Sequence, residues 1–209
     1  MAKPSINIIS DIAGNFDTLQ ALVSKMPEGY LVAVGDLVDR GPRSREVLEY
    51  FKKHVEAGTG TALLGNHEFM MLEALKYGRA RDWMNNGGEA TLNSFKNSSG
   101  DDEVEAARLW VPFLEAMPLS FSQSGLYVSH APYGEYPESD VFNFVWNRYR
   151  LLEMIGYFCV FGHNWNGPKY YKNKNKKRYA VCIDSSAAKQ ITGLHWPSKK
   201  LYHQDWIDT

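Results

Sequence analysis

The chain has 209 residues, 44% of them hydrophobic and 22% charged, with a formal net charge of −1 at pH 7. That length suits one domain over 1–209 with a sizeable core, and the near-neutral balance excludes a global field that would draw the chain to nucleic acid or to a membrane surface. No apolar run approaches the ~20 residues that cross a bilayer, no signal-peptide pattern precedes Ile6, and Cys159 and Cys182 sit in apolar runs as buried thiols, so a cytoplasmic location is expected.

In chain order, Ile6 to Ile12 reads as a short apolar strand ending at Asp11, and the apolar spacing of DTLQALVSKM predicts a helix capped by Asp17. Leu31 to Gly35 is a second buried strand, followed by Asp36, Asp39 and Arg40. Ser44 to Ala57 is an amphipathic helix capped by Ser44 and stopped by Gly58. Thr61 to Leu64 is a third strand, ending in Gly65-Asn66-His67-Glu68. Strands alternating with helices imply parallel βαβ units of an α/β fold, with the polar strand ends delivered to one edge of a sheet read as parallel.

Beyond that point the pattern predicts a helix over Glu68 to Tyr77, a mobile polar loop over Asn97 to Asp102, and a helix from Asp101 to Met117 interrupted at Pro112. From Leu119 short strands follow, SFSQSG and LYVSHA as a hairpin, then a helix over Val141 to Ile155 and a strand from Tyr157 to Gly162 ending at His163. Lys169 to Asp184 reads as a hairpin whose turn carries the basic run KNKNKKR; its aromatics flank the run rather than interleave with it, which disfavours a nucleic-acid patch. ITGLHW and KKLYHQ close the chain as a strand pair.

Five apolar strands thus end in Asp11, Asp36, Asn66, His130 and His163. Taken singly, each is a cap, a turn residue or a structural histidine. Taken together on one sheet edge, they offer oxygen and imidazole donors suited to Mn, Fe or Zn. Two such ions ~3.5–4 Å apart would clamp a phosphoryl group and activate a water.

The motifs GDLVDRG at 35–41 and GNHE at 65–68, with SHA at 129–131, FGH at 161–163, NGG at 86–88, WNR at 146–148 and IDSSA at 183–187, resemble the calcineurin-like metallophosphoesterases. Within that family the resemblance is to the phosphoprotein phosphatase branch that includes the bacteriophage lambda protein phosphatase. It implies a β-sandwich flanked by helices with the site at strand carboxyl ends. It also implies two divalent ions (Mn first, with Fe, Zn or Ni as alternatives). Asp36 would bridge them, Asp11 would hold the first, and Asn66, His130 and His163 would hold the second. His67, oriented by Asp39, would be the general acid, and Arg40 and Arg148 would hold phosphate oxygens.

One position departs from that pattern. The family carries Asp-x-His-Gly after the first strand, with the histidine a ligand of the first metal; here the residues are Asp11-Ile12-Ala13-Gly14, by a natural or an engineered replacement. The first site is therefore expected to be weakened. The resemblance implies hydrolysis of a phosphate ester by a metal-bound hydroxide, with phosphoserine, phosphothreonine or phosphotyrosine of a protein as substrate. A dinucleoside polyphosphate hydrolase and a catalytically disabled phosphate-binding module are the alternatives. The substrate would thus be a phosphorylated protein or a nucleotide, and oligomeric state is left open.

Overall fold

The structure, a computed structural model, describes residues 4–96, 102–137 and 139–208. Its first half runs β1 (Ile6–Ile9), α1 (Phe16–Val23), β2 (Tyr30–Ala33), α2 (Ser44–Glu56), β3 (Gly60–Ala62), α3 (Asn66–Tyr77), α4 (Ala80–Asn85), α5 (Gly88–Phe95), α6 (Glu103–Arg108) and α7 (Val111–Glu115). The second half runs β4 (Ser120–Gln123), β5 (Leu126–Ser129), α8 (Val141–Trp146), β6 (Phe158–Phe161), β7 (Lys169–Lys172), β8 (Arg178–Cys182), a 3-10 turn (Ser186–Ala188), β9 (Gln190–Trp196) and β10 (Lys200–Asp205). The strands form two five-stranded sheets, ordered β10-β9-β1-β2-β3 and β4-β5-β6-β8-β7.

The period-two alternation of strands sets the layers. Ile6 and Ile8 of β1 and Val32 of β2 join Val128, Val160 and Val181 of the second sheet in an apolar layer between the sheets. Ile9, Leu31 and Ala33 point the other way, onto the core built with Leu19, Leu22, Val47, Leu48 and Phe51 of α1 and α2. The resulting architecture is a β-sandwich with helices on the face of the first sheet, as the resemblance implied. Leu63, fully buried between the sheets, tests this layer. Leu63→Ala should cost about 2–5 kcal/mol in a urea unfolding titration, the usual range for a buried leucine truncated to alanine.

The parallel expectation is corrected in one respect: the five donor-bearing strands do not lie in one sheet. β1, β2 and β3 run parallel in the first sheet, with antiparallel β9 beside β1 and β3 at the edge, and β5, β6 and β8 run parallel in the second, between antiparallel β4 and β7. The carboxyl ends of both parallel sets converge on one rim of the sandwich. The expected hairpins β4–β5, β7–β8 and β9–β10 are all present.

Several boundaries differ for local reasons. Asn15, not Asp17, occupies the N-cap position of α1, without a side-chain cap bond; Asp17 sits in the first turn and pairs with Arg43. Ser44 lies inside α2 rather than capping it, and its hydroxyl accepts the Asp39 N–H at 3.1 Å. The 101–117 segment splits into α6 and α7, with Pro112 near the start of α7. The helix expected over Val141 to Ile155 stops at Trp146. There Asn147 turns the chain, donating to the Pro132 and Arg150 carbonyls and accepting the Arg150 N–H at 3.0 Å. Of the loop expected at Asn97 to Asp102, residues 97–101 lie outside the described residues, and Asp102 caps α6. Cys159 and Cys182 are buried free thiols, whose burial pushes them up to about 11 and about 12. Among the described residues no helix is long and apolar enough to cross a membrane.

Candidate metal centre

The backbone at the rim is bent into conformations that most side chains avoid. Asp11, Ala13, Asp36, Asp39, Arg40 and His163 all have positive φ, between 45° and 74°. Such residues cost of order 1–3 kcal/mol each and concentrate where a site is held in place against local preference. Gly35, at φ 107°, starts the turn after β2; a Cβ there would lie 2.7 Å from the Gly65 Cα and 2.9 Å from the His130 Nδ1. Only glycine lets these three strand ends approach so closely.

Glu68 fixes this turn. Its carboxylate accepts the N–H groups of Asp36 at 2.8 Å, Leu37 at 2.7 Å, Val38 at 3.3 Å and Gly65 at 3.0 Å, all inside the protein. The motif GNHE had pointed to Asn66 and His67, and the structure shows what its glutamate does. Glu68→Ala would leave four buried donors without an acceptor, at about 1–3 kcal/mol each. The expected loss is at least ~3 kcal/mol by denaturant titration after partial relaxation.

Asp11, Asp36, Arg40, Asn66, His67, Arg148 and His163 line one cavity of about 100 Å³. His130 stands directly behind it: its Nε2 is 2.9 Å from Asn66 Oδ1, 3.2 Å from His163 Nδ1 and 3.4 Å from Asp36 Oδ1. His163 Nδ1 is in turn 2.9 Å from Asn66 Oδ1. Two carbonyl-type oxygens and two imidazole nitrogens therefore converge, and Asp36, His130 and His163 each place a ligand atom within 4.8 Å of the others. Burial, reinforced by His130, pushes His163 down to about 3, and burial also lowers His130. Both imidazoles are thus neutral at pH 7, the form that binds metal. Burial works to raise Asp36, but the imidazoles of His130, His67 and His163, when protonated, outweigh it and lower the carboxyl to about 2. His163 Nε2 is buried with no hydrogen-bond partner.

The structure adds a residue that sequence reasoning did not assign. Asp184, just beyond β8, is 2% exposed and lines the same cavity. IDSSA was legible as a motif, but only the parallel placement of β8 beside β6 shows that its aspartate reaches the rim. Asp11 is raised well above the usual carboxylate range by burial and then by the charges of Asp184 and Asp36; burial raises Asp184 as well. Among the described residues no lysine or arginine pairs with Asp11, Asp36 or Asp184. Three buried carboxylates on one small cavity call for a cation, because buried charge is paired or coordinated to metal. The donor set fits divalent metal ions.

The side around His67 is equally built. His67 Nδ1 lies 2.6 Å from Asp39 Oδ2, and Asp39 is completely buried. Asp39 Oδ1 accepts from Trp83 Nε1 at 2.8 Å and from Thr91 Oγ1 at 2.6 Å, which fixes the carboxylate. Burial would lower His67, but the carboxylates of Asp36 and Asp39 outweigh it and raise its pKa. Arg40 donates to His67 Nε2 at 3.1 Å, and its own N–H meets the Gly87 carbonyl. NGG therefore positions Arg40: Gly87 has φ 107°, and a Cβ there would lie 2.9 Å from the Arg40 nitrogen. Arg148 donates to the His163 carbonyl at 2.6 Å and stacks over Trp165. All nine expected site residues thus meet at one place. Ala13 lies beside them, its N–H bound to the Asp36 carbonyl, with no side chain to offer a ligand.

Comparison with known proteins agrees with this geometry. The asymmetrical bis(5'-nucleosyl)-tetraphosphatase PrpE of Bacillus velezensis is 33% identical over 141 residues, covering 60% of this chain and 55% of that protein. Serine/threonine-protein phosphatase 1 of Salmonella typhimurium is 27% identical over 193 residues, covering 86% of this chain and 85% of that protein. A protein serine/threonine phosphatase structure from Saccharomyces cerevisiae shares the fold, with a TM-score of 0.65, 13% identity and coverage of 99% of this chain and 81% of that one. The calcineurin-like phosphoesterase family matches residues 4–204, almost all of the two sheets and the whole rim that carries the donors, so the chain belongs to the calcineurin-like phosphoesterases.

Proposed function

We propose that the chain hydrolyses a phosphate ester at a two-ion centre. The observation that carries this reading is the convergence of Asp36, Asn66, His130 and His163 beside the Asp39-backed His67. Asp11 and Asp36 would hold the first ion, and Asp36, Asn66, His130 and His163 the second, with Mn as the first candidate. Bound divalent ions supply a water acidic enough to attack phosphorus and a positive clamp on the phosphoryl oxygens.

The chain's own residues do the rest. Arg40 and Arg148 flank the cavity and offer guanidinium forks to the remaining phosphoryl oxygens. When Arg40 turns to phosphate, His67 Nε2 is released to face the leaving oxygen, while Asp39 holds Nδ1–H and the ring orientation. A protonated His67 then delivers its proton as the ester P–O bond breaks. Phosphorylated protein side chains and dinucleoside polyphosphates share this chemistry, and relatives are named for both.

The test is nitrophenyl phosphate turnover by the full chain after exhaustive chelation and after Mn is added back. Turnover should vanish with chelator and return with Mn; a full rate in the chelated chain would exclude the metal reading. Arg40→Ala and Arg148→Ala provide a second check. Each should weaken inorganic phosphate binding about tenfold or more, as expected for loss of a charge-assisted pair, with metal content unchanged. Loss of the ions in either variant would make that arginine structural.

A further inference from the structure

A cavity of about 100 Å³ has room for ions and a phosphoryl group, so the group that carries the phosphate must lie outside it. A groove of about 340 Å³ begins where the cavity ends, and Arg148 and Trp165 line both. Its walls hold three aromatic rings, Tyr149, Trp165 and Tyr171, together with the cations Arg148 and Lys169. The amides of Asn164 and Asn166 and the thiol of Cys182 complete the lining, and among the described residues no carboxylate lines it. Tyr149 is 97% exposed and Trp165 is 53% exposed, although large aromatics normally bury most of their surface. The Arg148 guanidinium covers one region of the Trp165 ring at 4.9 Å, and the Lys169 ammonium lies 5.4 Å from the Tyr171 ring.

This is an unusual lining for a chain of net charge −1. Exposed π faces next to cations suit a ligand that is both planar and anionic, because bases stack on aromatic side chains while phosphates meet arginine and lysine. Side-chain amides add donors and acceptors for a base edge. We propose that the groove is a nucleoside subsite, seating one base of a dinucleoside polyphosphate while the phosphoryl group to be cleaved occupies the cavity. This rests on the phosphoesterase reading above and names its substrate class. Water adds to phosphorus and loses its proton to solvent, the bridging P–O bond breaks, and the leaving phosphate departs as an anion beside His67, giving two nucleotides.

Two measurements test the subsite, with Tyr149→Ala, Lys169→Ala and the double variant as probes; Tyr149 is so exposed that its truncation leaves the fold intact. First, AMP is titrated into the full chain with and without Mn, following tryptophan fluorescence. AMP should bind, and the double variant should bind it at least ~10-fold more weakly, the scale of losing one stacked base. Second, kcat/KM for diadenosine tetraphosphate is divided by that for nitrophenyl phosphate, and this ratio should fall at least ~10-fold in the double variant. An unchanged ratio, absent AMP binding, or an equal loss with a phosphopeptide would overturn the proposal. Failure of the underlying phosphoesterase reading looks different: AMP binds, yet nitrophenyl phosphate is not turned over even in Ala13→His with saturating Mn.

Discussion

His67→Asn should lower kcat for an alkyl phosphate by ~10²–10⁴-fold, the usual worth of a positioned general acid. The loss for nitrophenyl phosphate should be far smaller, because nitrophenolate leaves without needing a proton. The geometry behind this is the 2.6 Å contact between His67 Nδ1 and a fully buried Asp39 whose other oxygen is held by Trp83 and Thr91. Those carboxylates raise the His67 pKa against the effect of burial. An acid with a raised pKa stays protonated above the ordinary histidine range, and its contribution is lost as pH rises through the raised value. The alkaline limb of kcat/KM should therefore disappear in His67→Asn and move to lower pH in Asp39→Asn, which removes one of the two stabilising charges. Equal rate losses for the two substrates, or an alkaline limb that survives in His67→Asn, would contradict the role.

Ala13→His should raise kcat by ~100-fold or more, because a lost direct ligand matters more than an outer partner, whose removal costs ~10–100-fold. The backbone is ready for the change. Ala13 has φ 49°, in the left-handed region where histidine occurs several times more often than most residues, and its amide and carbonyl are tied to Asp36 and Gly41. The chain as it stands retains Asp11 and Asp36 for the first ion, hard oxygens that should hold it weakly. On the two-ion reading proposed above, the second site keeps Asp36, Asn66, His130 and His163 as donors and should fill at lower metal concentration. Slow turnover with intact phosphate binding is the expected behaviour of this chain. Metal content by mass spectrometry should rise from one tightly held Mn to two in Ala13→His. Two tight ions already present with Ala13, and no gain in rate, would remove this position from the mechanism.

The sequence carried much of this because each donor follows an apolar run and sits at a turn, so strand and site are written in the same few residues. Asp36, Asn66, His130 and His163 were readable for that reason. The division into two sheets was not: a run such as YAVCID looks the same whichever sheet it joins, and only its parallel pairing with β6 brings Asp184 to the rim. Glu68 was also hidden, because a buried carboxylate that clamps four N–H groups looks in sequence like any glutamate in a helical first turn. Helix ends failed where a polar side chain bonded elsewhere. Ser44 serves the Asp39 amide instead of capping α2, and Asn147 bonds the backbone of Pro132 and Arg150 and ends α8 at Trp146, nine residues before Ile155. The groove beside the cavity had no signature at all, since Tyr149, Trp165 and Lys169 belong to no shared period.

The central claim is that the buried donors around Asp36 form a divalent metal centre. Its most direct test is calorimetric titration of the chelated full chain with Mn, compared with Asp36→Asn. The account predicts at least one Mn bound to the unsubstituted chain and an affinity at least ~100-fold lower in Asp36→Asn, beyond what loss of an outer partner costs. Equal Mn affinity in the two proteins would contradict it.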